Sequence, residues 1–305
     1  MSKILVTGGA GFIGSHTCLS LLEKNYDVVV LDSLVNSSPL SIERVKNIYN
    51  NGEIKNKKIK LIKGDLRSKN AIDEVFLKSK LEGNPIKAVI HFAGLKSVNE
   101  SIKNPIMYWD NNLNSTINLL KIMEEYRCFN LVFSSSATIY ANSSKKLIDE
   151  KCLISPFNPY GFTKSTIEKM LENVFDSQTN KWRIANLRYF NPIGAHSSGK
   201  LGESPRGIPN NIFPYILKVA AGQIKYLNIF GNDWETHDGT GVRDYIHVMD
   251  LAEGHINTLN YLFQNVPRVI YINIGTGVGT SVLELIRTFS QINNVDIPYK
   301  FTCRR

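Results

Sequence analysis

Cysteine is scarce in this sequence of 305 residues: Cys18, Cys128, Cys152 and Cys303, with no CxxC pair among them. A disulfide framework is therefore not expected, in keeping with a reducing compartment. The six histidines are scattered and form no HExxH pair, so no metal site is expected either. No apolar run approaches the roughly 18 residues that a membrane-spanning helix requires. The N-terminus, Met1-Ser2-Lys3-Ile4-Leu5-Val6-Thr7-Gly8, has an apolar stretch too short for a signal peptide and no small-residue cleavage site. It reads as a first β-strand, and a cytoplasmic protein is expected. Acidic residues are also in deficit, with 27 Asp and Glu against 36 Lys and Arg, a formal net charge of +9. That excess is spread thinly. Its densest run, Lys55-Asn56-Lys57-Lys58-Ile59-Lys60, lies in a polar stretch from Asn47 to Lys63 and reads as a solvated loop in preference to a nucleic-acid surface. Neither nucleic acid nor membrane is an expected partner, while part of the charge is available to an anionic substrate.

What the sequence has is alternation. Ile4–Val6, Val28–Leu31, Lys60–Ile62, Ala88–Phe92, Leu131–Phe133 and Ile184–Leu187 are short apolar runs of the kind that form buried parallel strands. Helical patterns such as Ser15–Lys24 and Asn114–Glu125 lie between them. Regular exchange of strand and helix predicts an α/β fold, a doubly wound parallel sheet of Rossmann type. Beyond Arg188 the texture changes. Pro, Gly and Asn cluster through Asn191–Asn211 and Gly231–Gly241, as expected of substrate loops on a smaller mixed α/β domain. The expected division is 1–189 for the cofactor-binding domain and 190–305 mainly for the substrate domain, with 244–275 a candidate to return to the first sheet.

Gly8-Gly9-Ala10-Gly11-Phe12-Ile13-Gly14 follows the first strand and opens a helix, with Gly8, Gly11 and Gly14 at GxxGxxG spacing. Such a turn lets a pyrophosphate approach the backbone, and the helix N-terminus offers it free N–H groups and a positive dipole end. A glycine-rich turn alone is weak evidence. Asp32 strengthens it, because it ends the second strand 18 residues beyond Gly14. A carboxylate there accepts hydrogen bonds from ribose hydroxyls and repels a 2′-phosphate, which favours NAD over NADP.

Asn158-Pro159-Tyr160-Gly161-Phe162-Thr163-Lys164 carries the chemistry. Asn158 suits a helix N-cap and Pro159 the first helical position. Tyr160 and Lys164 then share one helix face. A free phenol has a pKa of about 10 and is a poor base at neutral pH. A nearby ammonium and an oxidised nicotinamide ring both favour the phenolate, so a lowered Tyr160 pKa is expected. Alone, YxxxK also fits simple packing. A separate hydroxyl cluster, Ser134-Ser135-Ser136 with Thr138, lies at the C-terminal end of a strand, where open α/β sheets place ligands.

Along its whole length the sequence resembles the UDP-glucose 4-epimerase family of extended short-chain dehydrogenases. The resemblance rests on Leu5–Cys18, His91–Lys96, Asp110–Asn112, Phe133–Tyr140, Arg188–His196, Gly207–Asn211 and Asp238–Asp250, of which the stretches beginning at Arg188 and Asp238 are the most specific. It implies reversible inversion at carbon 4 of UDP-glucose and UDP-galactose through a 4-keto sugar, with transient hydride transfer to bound NAD, in a homodimer. Carried over position by position, it places Gly8, Gly11, Phe12, Ile13 and Gly14 at the pyrophosphate, and Asp32, Ser33, Asn36 and Ser37 around the adenosine ribose. Asp65 and Leu66 would border the adenine. Phe92, Ala93, Lys96 and Asn111 would line the middle of the cofactor, and Tyr189 the nicotinamide. Ser136, Tyr160 and Lys164 match the catalytic set. Asn191, Asn211, Phe230, Arg243 and one of Arg304 and Arg305 would hold UDP.

Three departures stand out. Ala141 follows Tyr140 where the family usually has glycine, which is expected to alter a turn and not the chemistry. The Asn47–Lys63 stretch is longer and more polar than usual. The family generally continues beyond the position of Arg305, through a segment that controls sugar size. Related nucleotide-sugar dehydratases, decarboxylases and uronate epimerases share the fold. Dehydratases commonly carry an Asp-Glu pair where Ala137-Thr138 stand here. A non-catalytic NAD-binding protein is the alternative from another class, and such proteins often lose the tyrosine or lysine that this chain keeps.

Overall fold

The computed structural model describes residues 2–51, 57–141, 147–207, 209 and 211–304. In chain order its elements are β1 (Lys3–Thr7), α1 (Phe12–Glu23), β2 (Asp27–Asp32), α2 (Pro39–Asn50), β3 (Ile59–Lys63), α3 (Lys69–Leu81), β4 (Ile86–His91), α4 (Val98–Lys103), α5 (Pro105–Trp109), a π-helical turn (Asp110–Asn114), α6 (Ser115–Glu125), β5 (Asn130–Ser136), α7 (Pro159–Ser177) and β6 (Arg183–Tyr189). There follow β7 (Asn191–Ile193), α8 (Ile212–Ala220), β8 (Leu227–Phe230), β9 (Val242–His247), α9 (Val248–Gln264), β10 (Arg268–Ile274), β11 (Gly279–Ser281), α10 (Val282–Asn293) and β12 (Tyr299–Thr302).

Among the described residues seven strands form a parallel sheet in the order β10-β6-β5-β4-β1-β2-β3. The six runs read from the sequence all fall in it. β1 is buried at every residue, because helices cover both faces of the sheet. Its polar first residue, Lys3, is accommodated by a 2.8 Å ion pair with Glu82. One face packs Ile4, Val6, Leu19, Leu22, Val30 and Ile256 together, bringing α1, α2 and α9 onto the sheet. The other packs Leu5, Phe76, Phe133, Ile167, Leu171 and Trp182, bringing α3, α6 and α7. A third core, with Ile216, Ile229 and Ile286, lies among α8, β8 and α10. There β7, β9 and β11 form a three-stranded sheet, and β8 pairs with β12.

The winding reverses between β1 and β4, which are neighbours. A crevice therefore opens above their C-terminal ends, the place where open α/β sheets receive ligands. Gly8 turns there with φ +67°, and a Cβ on it would lie 2.7 Å from the Ala93 backbone nitrogen. Gly14 lets α1 settle on the same turn, since a Cβ there would lie 2.5 Å from the Gly8 carbonyl oxygen.

Two details of the chain depart from expectation. Asn47–Lys63 is not one solvated loop. Its first residues complete α2, Ile59–Lys63 form the edge strand β3, and Lys57 is buried; residues 52–56 lie outside the described residues. The polar run misleads because an edge strand needs only one covered face. At Ala141 the backbone N–H donates to the Leu153 carbonyl at 3.0 Å, and its φ is not in the left-handed region, so alanine fits without strain. Among the described residues no helix is long and apolar enough to cross a membrane.

Gly14→Ala forces α1 away from the turn. A loss of about 1–3 kcal/mol in urea unfolding is expected, the usual cost of overpacking; an unchanged midpoint would show that the turn has room to spare.

Candidate active site

The crevice floor is built from backbone. The Gly8 N–H donates to Leu31 O at 2.9 Å and the Gly11 N–H to Gly8 O at 3.2 Å. Gly11 is the N-cap of α1, and no side chain caps the first turn. The N–H groups of that turn are thus left without a side-chain partner, as an anion site requires. A Cβ on Gly11 would have one described heavy atom within 4 Å, Gly8 O at 3.3 Å. Gly8 and Gly14 thus serve packing, while Gly11 keeps the open side clear. This cradle fits a dinucleotide pyrophosphate, with Phe12 and Ile13 opening the helix behind it.

Asp32 is buried and holds the cradle to the next loop. Its Oδ2 accepts from the Ala10 N–H at 2.9 Å, and its Oδ1 from the Leu34 N–H and the Ser37 hydroxyl, both at 2.8 Å. Three protein donors leave one of about four acceptor sites for a ribose hydroxyl. Ser33 is half-buried beside it. Asn36 is turned to other work: its Oδ1 accepts from the Arg206 N–H at 3.2 Å, while the Arg206 guanidinium donates to Leu34 O at 3.0 Å. At the far end Arg67 bridges Asp65 at 2.7 Å and Asp110 at 3.1 Å. The hydrogen bond from Arg67 holds the Asp65 carboxyl below its ordinary range. Asp65, Arg67, Ser68, Asp110, Asn114 and Asn118 line a cleft of about 500 Å³. Leu66 is buried beneath it.

Asp110 begins the π-helical turn. The widened turn leaves Asn111 half-buried and drives Asn112 inward, 2% exposed. Asn112 was not singled out from the sequence, yet it is the joint of the site. Its Oδ1 accepts from the Leu95 N–H at 2.8 Å, and its Nδ2 donates to Leu95 O at 3.1 Å and Thr163 Oγ1 at 3.0 Å. It thereby ties the loop carrying Ala93 and Lys96 to the helix carrying Tyr160. The available signal was an i, i+4 polar position among the buried residues Tyr108, Ser115 and Leu119.

Asn158 caps α7 as expected, its Oδ1 accepting from the Gly161 N–H at 2.9 Å. Tyr160 and Lys164 are buried on one stripe, against the end of β5. The Lys164 ammonium donates to Ser134 O at 2.7 Å and lies 4.7 Å from the Phe133 ring centre and 5.9 Å from that of Tyr160. Ser136 hydrogen-bonds the Tyr160 phenol, and the Tyr189 and Ser134 hydroxyls are also hydrogen-bonded. Phe92 lies against His255 with ring centres 4.7 Å apart and the planes tilted by 46°, and Tyr189 approaches the same ring at 6.0 Å.

The lowered Tyr160 pKa was expected from an ammonium and an oxidised nicotinamide ring together; the protein's own groups act the other way. Burial pushes the Tyr160 phenol up to about 12, and the opposing hydrogen bond from Ser136 is the smaller effect. Burial likewise draws Lys164 down to about 8, against the field of Glu168. Spacing alone could not disclose this desolvation. Bringing the phenol from about 12 to neutrality takes roughly 7 kcal/mol. One cation about 6 Å away, at an effective dielectric of about 20, supplies roughly 3 kcal/mol. By this arithmetic Lys164 alone does not bring the phenol to neutrality.

The residues assigned to UDP are distributed over the smaller domain. Asn191 on β7 sits opposite Tyr245 of β9, two residues from Arg243. Arg243 is exposed, donating to the neighbouring Val242 carbonyl at 2.7 Å. Phe230 ends β8 at 36% exposure. Asn211 is the N-cap of α8, but its side chain donates to Glu203 at 2.8 Å instead of capping. Arg304 pairs with Asp233 at 2.7 Å, and Arg305 lies outside the described residues. Glu203 was not anticipated: its side chain is 8% exposed, and its other close partner is Lys96 at 3.8 Å. It joins a residue assigned to the cofactor with one assigned to UDP, a pairing between loops that sequence spacing cannot reveal.

Asn112→Ala strands the Leu95 N–H and frees the π-helical turn from α7. It should lower stability by about 1–3 kcal/mol and loosen bound nucleotide, read by unfolding and by nucleotide retained on gel filtration. Wild-type values in both would remove Asn112 from the account.

The profile described as the NAD dependent epimerase/dehydratase family matches residues 4–275. UDP-glucose 4-epimerase of Bacillus subtilis is 48% identical over 302 residues, covering 99% of this chain and 85% of that protein. The enzyme of the same name from Pasteurella multocida is also 48% identical, covering 99% and 86%. Among solved structures, UDP-glucose 4-epimerase from Bifidobacterium longum in complex with NAD+ and UDP superposes with a TM-score of 0.92 at 46% identity, covering 100% of this chain and 87% of that one. The cradle, the buried Tyr160–Lys164 pair and these likenesses agree: the chain belongs to the NAD dependent epimerase/dehydratase family.

Proposed function

We propose that this chain is an NAD-dependent isomerase that interconverts UDP-glucose and UDP-galactose by inverting carbon 4 of the hexose. The observation that carries the reading is the buried Tyr160–Lys164 stripe against Ser136, beside the crevice that Gly8 and Gly11 open. The relatives named above, and the neighbour with NAD+ and UDP bound, support it.

Gly8, Gly11, Phe12, Ile13 and Gly14 would hold the pyrophosphate of NAD, with Asp32, Ser33, Asn36 and Ser37 around its ribose and Asp65 and Leu66 at its adenine. Phe92, Ala93, Lys96, Asn111 and Tyr189 would border the rest. When bound, NAD supplies a reversible hydride acceptor and the second positive charge that the Tyr160 phenol lacks. Tyr160, as phenolate, takes the proton of the sugar 4-hydroxyl, relayed by Ser136, and returns it once the 4-keto sugar has presented its other face. Lys164 favours the phenolate. Asn191, Asn211, Phe230, Arg243 and one of Arg304 and Arg305 would hold UDP, so that the sugar turns while its anchor stays. On this reading 1–189 serve the cofactor and 190–305 mainly the nucleotide sugar, with α9 and β10 belonging to the first unit. A dehydratase reading has no carboxylate at Ala137-Thr138 to support it.

We also propose a homodimer in the cytoplasm. Ile102, Ile106 and Phe162, at 60%, 82% and 45% exposure on the adjoining helices α4, α5 and α7, offer an apolar face for a second copy. Ile106→Asp is expected to halve the mass seen by sedimentation; a wild-type monomer at micromolar concentration would contradict the dimer.

Purified protein given UDP-galactose, without added NAD, should form UDP-glucose in a coupled dehydrogenase assay. Tyr160→Phe should lose roughly 10²–10⁴-fold in kcat, the usual worth of a general base. Near-normal turnover in that variant would sink the role given to Tyr160.

A further inference from the structure

Glu168 lies one turn beyond Lys164 and two beyond Tyr160 on α7, and is 3% exposed. Its Oε1 accepts from the Ser135 hydroxyl at 2.5 Å and Arg188 Nε at 3.0 Å, and its Oε2 from Arg188 Nη2 at 2.6 Å. Arg188 is 2% exposed on β6. Its Nη1 donates to the Tyr140 hydroxyl at 3.0 Å and Glu150 O at 3.2 Å, and its guanidinium lies 4.6 Å from the Tyr271 ring centre. The pair is saturated and dry. A bland account makes Glu168 no more than a counterion for Arg188.

Two features exceed that account. The carboxylate stands on the same stripe as the catalytic pair. It is also anchored by Ser135, the residue that follows the Ser134 whose carbonyl receives the Lys164 ammonium. Three successive serines of β5 thus bind the three ionisable side chains of one helix face: Ser134 to Lys164, Ser135 to Glu168, Ser136 to Tyr160.

We propose that Glu168 is a positioning residue for the reaction, the fixed negative charge against which buried Lys164 stays an ammonium beside Tyr160. This rests on the reading of Tyr160 and Lys164 given above. The other groups facing Lys164 do not do this work. His91 on β4 is held neutral by burial, its ring nitrogens paired with Thr7 at 2.7 Å and Thr116 at 3.0 Å. Burial raises the Tyr160 and Tyr189 phenols, leaving both uncharged. Asn112, near Lys164 across Gly94, carries no charge. Arg188 is a cation, paired with the Glu168 carboxylate at 2.6 Å, and cannot supply the negative charge.

The test is Glu168→Gln, with the pH dependence of kcat and an NMR titration of the Lys164 side chain. Loss of the carboxylate destabilises the ammonium, so the alkaline limb of kcat and the lysine titration should both move toward acid by roughly one pH unit, with KM for UDP-galactose little changed. Ser135→Ala keeps both charges and should leave the limb within a few tenths of a unit of wild type. If Glu168→Gln does not accumulate folded, Glu168→Asp draws the carboxylate back by one methylene and should give a smaller acid shift. A folded variant with reduced stability but an unmoved limb and unmoved lysine titration would overturn the proposal. The NMR titration needs no turnover, so it separates this outcome from failure of the catalytic reading, which Lys164→Met with retained activity would disclose.

Discussion

Burying an ionisable side chain costs several kcal/mol unless it is paired, and helix Pro159–Ser177 buries three on one stripe: Tyr160, Lys164 and Glu168. That constraint explains much of what surrounds them. The C-terminal end of β5 meets all three: the Ser134 carbonyl takes Lys164, and the Ser135 and Ser136 hydroxyls take Glu168 and Tyr160. Arg188 is buried because Glu168 is, and Tyr140, Tyr271 and Glu150 O surround Arg188 because a dry guanidinium must be satisfied on every side. Asn112 is buried because α7 must meet the Leu95 loop in one register. The proposed function meets the same cost: burial holds the Tyr160 phenol protonated, and on that proposal the cation of bound NAD joins Lys164 in favouring the phenolate.

The smaller domain is fastened to this sheet at separated points. His16, buried in α1, pairs with Phe12 O at 2.7 Å and with Leu201 O at 3.2 Å. Arg206 reaches the loop after β2, and Glu203 joins Lys96 to Asn211. Among the described residues these ties run to α1, the loop after β2 and Lys96. On the proposed function, such an arrangement suits an enzyme that grips a nucleotide while its sugar turns over.

The large sheet was legible in the sequence because parallel strands covered on both faces are written as short apolar runs, and all six runs became strands. The seventh, β10, was harder to see: each of its residues is only half-buried, and Arg268 and Asn273 interrupt its pattern. β7 and β11 have three residues each, too few for any period to register among their Gly, Pro and Asn neighbours. The glycines, Asp32 and the α7 cap were legible because each answers to local geometry. Asn112, Glu203 and the Glu168–Arg188 pair were not, because their roles arise from contacts between distant segments. The desolvation of Tyr160 was not legible for a related reason: spacing discloses a neighbouring lysine but not the absence of water.

The most direct measurement is the titration of the Tyr160 phenol by NMR of ring-labelled tyrosine, assigned against Tyr160→Phe. It would be made on protein stripped of nucleotide, then with NAD, then with NADH. The account predicts a phenol well above the ordinary tyrosine value in stripped protein, a marked fall with NAD, whose nicotinamide ring is positive, and little fall with NADH, whose ring is neutral. A phenol already low in stripped protein, or one that falls equally with both nucleotides, would contradict it.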